Sequence, residues 1–275
     1  MYRHRKASNS TQELLLTLGR LVDQALENIR LQQARAELGM ALQRHMLPSE
    51  LPHFPGLRMA ARYSPSQDDL AVGGDFYDAF PMRDGVAGIA IGDVQGHGVE
   101  AAAFMGEARA SLRALASVTG DPGQVLASAN DLLISLGWNL FTTCCLLSFV
   151  PRSGDLGIAR AGHVPMVWGT DTGESAVCLD PGGVPLGILP GQSYPVVHRR
   201  LTQPGYLVLL TDGVVEGPAY PIEEGLAEVA RLVGAGRGIA PDILASQVIR
   251  VADRTGSNDD AAVLVVRHDG RPYAQ

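Results

Sequence analysis

Acidic residues set between glycines carry most of the chemistry in this sequence. Gly73-Gly-Asp-Phe-Tyr-Asp78 is followed by Gly88-Ile-Ala-Ile-Gly-Asp-Val-Gln-Gly-His-Gly98, so Asp75 and Asp93 flank an apolar segment, Val86 to Ile91, that reads as a buried strand. No Lys or Arg lies within four positions of Asp93. Carboxylates held this way are costly to leave unpaired, and a cation is the expected partner. Two further junctions have the same form. Asp212 ends the apolar run Leu207–Leu210 in Leu-Leu-Thr-Asp-Gly, and Asp259-Asp260 opens the run Ala261–Val266. One Asp at a strand end is ordinary turn chemistry. Four such ends on central strands point to a shared ligand. Oxygen-only donors with no His or Cys cluster select a hard divalent ion, Mg²⁺ or Mn²⁺, over zinc. Gly92, Gly96 and Gly98 allow a sharp turn after the strand and close backbone approach to a ligand. A dinucleotide-binding reading of these glycines fails on spacing, and an acid sits where a pyrophosphate would have to approach.

The elements that must hold these acids follow from periodicity. Leu57–Tyr63, Gly74–Pro81, Val86–Val94, Thr142–Val150, Leu156–Ala161, Val164–Trp168, Ser175–Leu179, Tyr206–Thr211 and Ala261–Arg267 read as strands. Glu100–Leu115, Pro122–Leu136, Gly225–Val233 and Pro241–Ala252 read as helices. Strands with helices arriving in pairs predict an α+β layered domain, two sheets with helices packed outside. Upstream, Thr11 to Met46 is helical, with one apolar seam through Leu15, Leu18, Val22, Ala25 and Ile29 and another through Leu31, Ala34, Leu38 and Leu42. It is either a coiled coil or signalling linker, or a helix packed on its own domain. Pro48 and the Pro52…Pro55-Gly56 cluster end it.

Composition narrows the class. The 275 residues are 46% hydrophobic and 19% charged, with net charge −7, a globular balance that speaks against nucleic acid as partner. Cys144, Cys145 and Cys178 read as small core hydrophobes of a reducing compartment, not as a disulfide framework or a zinc site. No run approaches the ~18 apolar residues of a membrane span, and the expected location is cytoplasmic.

Taken in order, Gly73–Asp78, Gly92–Gly98, Ala161-Gly-His-Val-Pro165, Leu186-Gly187, Thr211-Asp-Gly-Val-Val-Glu216 and Asp259-Asp-Ala-Ala262 resemble the motifs of the PPM superfamily of metal-dependent serine/threonine protein phosphatases. The run-up Leu42–Pro48 and Pro55-Gly-Leu57 is similar to the domain entry of its bacterial SpoIIE-like branch, which includes the RsbU-type stress-response phosphatases. The resemblance implies a PPM-type layered β-sandwich flanked by helices over residues 47–267, preceded by the long N-terminal helix over 1–46 and followed by a tail over 268–275. It implies two Mn²⁺ or Mg²⁺ ions: Asp93 bridging them, the Val94 carbonyl on one, Asp212 and Asp259 holding the second, and Asp75 binding the first or orienting its waters. Asp260 is a neighbour of this set. The implied reaction is in-line attack by a metal-activated water on phosphoserine or phosphothreonine, with Asp75 and Asp93 as the central acids.

The implied substrate is a STAS-type anti-sigma-factor antagonist, and the N-terminal helix resembles connectors from a sensor domain, able to form a homodimer. Two departures stand out. Val94 replaces the glycine of the eukaryotic branch, and no counterpart of its phosphate-gripping arginine is found, Arg62 being only a guess. The rival readings are a non-catalytic binding module on the same fold and a hydrolase of a small phosphoester. Beside the acids, His97 reads equally as a proton donor or a solvent-facing loop residue. His163 reads as a hydrogen-bonded structural residue, Phe76 and Tyr77 as strand packing, and Trp138 and Trp168 carry no pattern.

Overall fold

The computed structural model describes residues 14–34, 46–65, 73–218 and 220–270. Helix α1 covers 14–34, and the rest is built from β1 (Leu57–Ser64), β2 (Phe76–Pro81), β3 (Ala87–Val94), α2 (Val99–Ala116), α3 (Pro122–Ser135), β4 (Thr142–Val150), β5 (Asp155–Ala161), β6 (Val167–Thr170), β7 (Ser175–Val177), β8 (Val197–Arg200), β9 (Gly205–Leu210), α4 (Asp212–Val215), α5 (Ile222–Ala235), α6 (Pro241–Val248), α7 (Ala252–Thr255) and β10 (Ala261–His268). The strands form two five-stranded sheets, in the orders β1-β10-β9-β6-β7 and β2-β3-β4-β5-β8, every named pairing antiparallel.

The near-continuous apolar runs have a simple cause: both faces of both sheets are covered. On β10, Ala262, Leu264 and Val266 join the core between the sheets, while Ala261, Val263 and Val265 pack toward α5 and α6. On β3, Ile89 and Ile91 face the inter-sheet core, and Ala90 and Val94 face α2 and α3. Adjacent residues of a strand point to opposite faces, so Cys144 and Cys145 of β4 belong to different cores and cannot pair, and all three cysteines are free and buried. Helix α2 is anchored to β2 by an ion cluster. Asp78, fully buried, accepts from Arg113 Nη2 at 2.7 Å, from Arg109 Nη1 at 3.4 Å and from the Ala79 amide at 2.8 Å. Helix α3 starts where Asp121 caps the amides of Gly123 and Gln124, ahead of Pro122 in the first turn.

The α+β sandwich expectation is met, with differences at the weakest signals. Strand β8 was not expected: it is a four-residue edge strand, largely exposed, whose His-Arg-Arg gives no apolar alternation. The expected helix Pro241–Ala252 is divided, α6 passing through a 3-10 turn at Ile249–Val251 into α7. Of the expected Thr11–Met46 helix, α1 lies within the described residues and is exposed along its length. The seam residues Leu38 and Leu42 lie outside the described residues.

Candidate metal centre

Both sheets present their acids at the same end of the sandwich. In one, Phe76 pairs with Gly92, which brings Asp75, just before β2, beside Asp93 near the end of β3. In the other, Leu210 pairs with Val263, which brings Thr211-Asp212 beside Asp259-Asp260. A hydrogen bond joins the two halves, the Thr211 hydroxyl donating to Asp75 Oδ2 at 2.7 Å. The same hydroxyl accepts from the Ala262 amide at 2.8 Å, so its orientation is fixed on both sides.

The local chain explains the placement. Asp212 is not the strand terminus expected from sequence but the first residue of the short helix α4, with its carboxylate accepting from the Gly213 amide at 2.9 Å. Gly213 has to be glycine, because a Cβ there would overlap the carbonyl of Asp260. Gly74 is under the same constraint, since its Cβ would occupy the space in front of the Val94 carbonyl. Any side chain at residue 74 would collide with that carbonyl.

The electrostatics are those of crowded like charges. Asp75 is 2% exposed, and its carboxyl is raised well above the usual carboxylate range by burial first and by Asp93, Asp260 and Asp212 after it. Asp93 is pushed up to about 8 by burial, then by Asp212 and Asp259. Asp212 is raised by burial and by Asp259. Asp259 is exposed at the rim and Asp260 is buried. Among the described residues, Asp75, Asp93, Asp212 and Asp259 form no ion pair with Arg, Lys or His. Nor do three acidic, His or Cys side chains converge on one coordination point among the described residues. An all-oxygen set of this kind, with a backbone carbonyl beside it, fits hard divalent cations.

The remaining candidates are placed as follows. His97 is exposed on the loop after β3. His163 is 2% exposed, and burial depresses its pKa to about 4, so it is neutral. Phe76 is fully buried in the core against α2 and α3, and Tyr77 packs on the inter-sheet core. Trp138 donates to Glu107 at 2.7 Å and lies edge-on to Phe104. Arg62 is directed away from the acids, donating to Ser246 Oγ at 3.0 Å on α6. Sequence reasoning gave Thr211 no role. Its signal was a hydroxyl residue, at the end of a wholly apolar strand, directly preceding an acid.

Comparison with known proteins places the fold in a family. The family profile described as stage II sporulation protein E (SpoIIE) matches residues 83–269. Among curated relatives, the chain is 26% identical over 263 residues to protein IcfG of Synechocystis, covering 84% of this chain and 41% of that protein. It is 26% identical over 196 residues to the phosphoserine phosphatase RsbU of Bacillus subtilis, covering 70% of this chain and 57% of that one. The chain thus spans about half the length of the curated relatives it matches. Among solved structures, the RsbU and RsbW domains of Rv1364c from Mycobacterium tuberculosis superpose with a TM-score of 0.74 at 31% identity, over 83% of this chain and 64% of that one. With the family profile covering residues 83–269, about two thirds of the chain and including Asp93, Asp212 and Asp259, the chain belongs to the SpoIIE family.

Proposed function

We propose that this chain is a metal-dependent serine/threonine phosphoprotein phosphatase acting through two Mn²⁺ or Mg²⁺ ions. The observation that carries the reading is the gathering of carboxylates from four chain segments at one end of the sandwich, facing one another with no cationic side chain as ion-pair partner among the described residues. In this reading Asp93 would serve both ions, the Val94 carbonyl and Asp75 would serve one of them, and Asp212 and Asp259 would hold the other. Bound there, the ions supply a water of lowered pKa and neutralise charge on the phosphoryl oxygens. The chain's own part is positioning. The Thr211 hydroxyl fixes the rotamer of Asp75, Gly74 keeps the Val94 carbonyl clear, and the fold at residues 211–213 aims Asp212 from the opposite sheet. No side chain is needed as a nucleophile.

The site is reachable by a protein substrate. Asp259 and the loop Gln95–His97 are exposed, so the acids open onto the surface, where a phosphorylated side chain can be presented on a folded partner. A STAS-type anti-sigma-factor antagonist is the proposed partner, in a bacterial cytoplasmic stress-response or sigma-factor circuit. Residues 47–267 would be the catalytic domain, with 1–46 as a linker and 268–275 as a tail. On α1, Leu15, Leu18, Val22 and Ile29 are 48–64% exposed, an apolar seam suited to a second copy or a sensor segment. Retention of all the acids argues against a non-catalytic scaffold.

Hydrolysis of p-nitrophenyl phosphate tests the reading. Activity is expected with Mn²⁺, is abolished by EDTA, and disappears in Asp93→Asn and Asp212→Asn. A wild type that neither hydrolyses the ester nor binds Mn²⁺ would sink it.

A further inference from the structure

His163 spans the sandwich at the acid-bearing end, a placement that simple core filling does not require. It follows Gly162, whose φ of 65° turns the chain after β5, and its ring reaches both sheets. Nδ1 accepts from the Thr143 hydroxyl at 2.7 Å, and Nε2 donates to the Leu210 carbonyl at 3.1 Å. A carbonyl can only accept, which puts the ring proton on Nε2 and leaves the Nδ1 lone pair for Thr143. One neutral tautomer therefore satisfies both contacts. The backbone of His163 is fixed as well, its carbonyl accepting from Arg160 Nη1 at 2.6 Å, while Arg160 Nη2 donates to the Asp180 carbonyl at 2.7 Å.

The two partners of the ring matter for what stands next to them. Thr143 is the register partner of Asp93 across β3 and β4. Leu210 is followed directly by Thr211, which holds Asp75, and then by Asp212. One contact of His163 thus bears on the strand end carrying Asp93 and the other on the strand end carrying Asp212. The carboxylates on these ends repel each other, and a cross-brace between the sheets opposes their separation. We propose that His163 is a positioning residue that sets the spacing between the Asp93 and Asp212 halves of the site, and thereby how well they close on a divalent cation. This rests on the phosphatase reading above.

The test uses the full chain and two near-isosteres. A glutamine amide overlays the Nε2 side of imidazole and can keep the Leu210 contact, whereas an asparagine amide overlays the Nδ1 side and can keep the Thr143 contact. Each preserves half of the bridge. Mn²⁺ affinity is read by titration calorimetry, and thermal stability in EDTA is read alongside. The control is Asp171→Ala, which strips the carboxylate from Arg267 at the other end of β10 and lowers stability away from the acids.

The expected result is Mn²⁺ binding at least tenfold weaker in both His163→Gln and His163→Asn, with a cooperative melt retained, while Asp171→Ala melts earlier and binds Mn²⁺ as the wild type does. Variants of His163 that lose stability but keep wild-type Mn²⁺ affinity overturn the positioning role alone. A wild type that takes up no Mn²⁺ overturns the phosphatase reading, and this inference with it.

Discussion

Replacing Asp93 by asparagine should stabilise the protein without metal and destabilise it relative to the wild type with metal. In the metal-free protein, burial and the neighbouring carboxylates hold the Asp93 carboxyl at about 8 against an ordinary value of 3.8. The folded state then keeps a proton that the unfolded chain has lost, so stability is greatest below pH 3.8 and falls as pH rises toward 8. One such proton gives a slope of about 1.4 kcal/mol per pH unit through the middle of the window and a total of about 6 kcal/mol across it. Asp75, raised by the same causes, acts in the same direction. The buried His163 and His268, both depressed to about 4, work in the opposite sense only below their ordinary 6.5. Measurements between pH 7 and 8 therefore isolate the carboxylates.

For a domain of this size the wild type in EDTA should lose roughly 2–4 °C in Tm between pH 7 and 8 from Asp93, since the group loses only about 1 kcal/mol as it passes through its own pKa. Asp93→Asn should show a shallower slope and melt higher than the wild type at pH 8. Mn²⁺ reverses the order. At a hundred times its Kd a site-bound ion adds about 2.7 kcal/mol to the wild type, whereas the variant gains little. Scanning calorimetry of both proteins, with EDTA and with Mn²⁺, gives all four values. A variant that melts below the wild type in EDTA at pH 8, with a wild-type slope near zero, would refute the claim that these acids are crowded.

Two other substitutions test the supports of the site. Gly74→Ala places a methyl group against the Val94 carbonyl. It should cost about 1–3 kcal/mol of stability by overpacking and, by displacing a ligand-bearing carbonyl, about a hundredfold in Mn²⁺-dependent turnover, read by urea unfolding and p-nitrophenyl phosphate hydrolysis. A fully active Gly74→Ala would remove the Val94 carbonyl from the site. Asp78→Ala removes the buried carboxylate that receives Arg109 and Arg113 and leaves the Ala79 amide without its acceptor. Because the Arg113 side chain is half exposed, the loss belongs at the lower end for a broken buried pair, about 3 kcal/mol. Calorimetry showing an unchanged Tm would mean that α2 is held by its apolar face alone.

What the sequence made legible follows from how local each signal is. Strands β3, β9 and β10 announced themselves because both faces of each are buried, which leaves unbroken apolar runs ending in Asp. The same contrast between buried strand and acid marks Asp75, Asp93, Asp212 and Asp259 as candidates in the sequence itself. Strand β8 left no such trace, because an exposed edge strand needs only a neighbour to pair with, and Leu156 and Gly157 of β5 supply it. The turn from β9 into α4 was hidden for another reason: Thr211-Asp-Gly suits a strand end and a helix start equally well.

The supporting contacts were beyond local reading altogether. Thr211 and Asp75 are 136 positions apart, and His163 meets Leu210 across 47. A threonine before an acid and a histidine after a glycine are common anywhere in a chain, and only the stacking of two sheets gives them a purpose. The acids announce themselves by breaking a local rule, since an apolar strand should not end in a buried, unpaired carboxylate. Their supports break no rule. Thr211 and His163 satisfy their hydrogen bonds fully and so look like ordinary core residues. The division follows from the physics of the site. Repulsion among the carboxylates stores the tendency to take up cations, and neutral, fully bonded neighbours keep that repulsion from parting the sheets. A buried charged support would have paired with one of the acids and removed it from the ligand set.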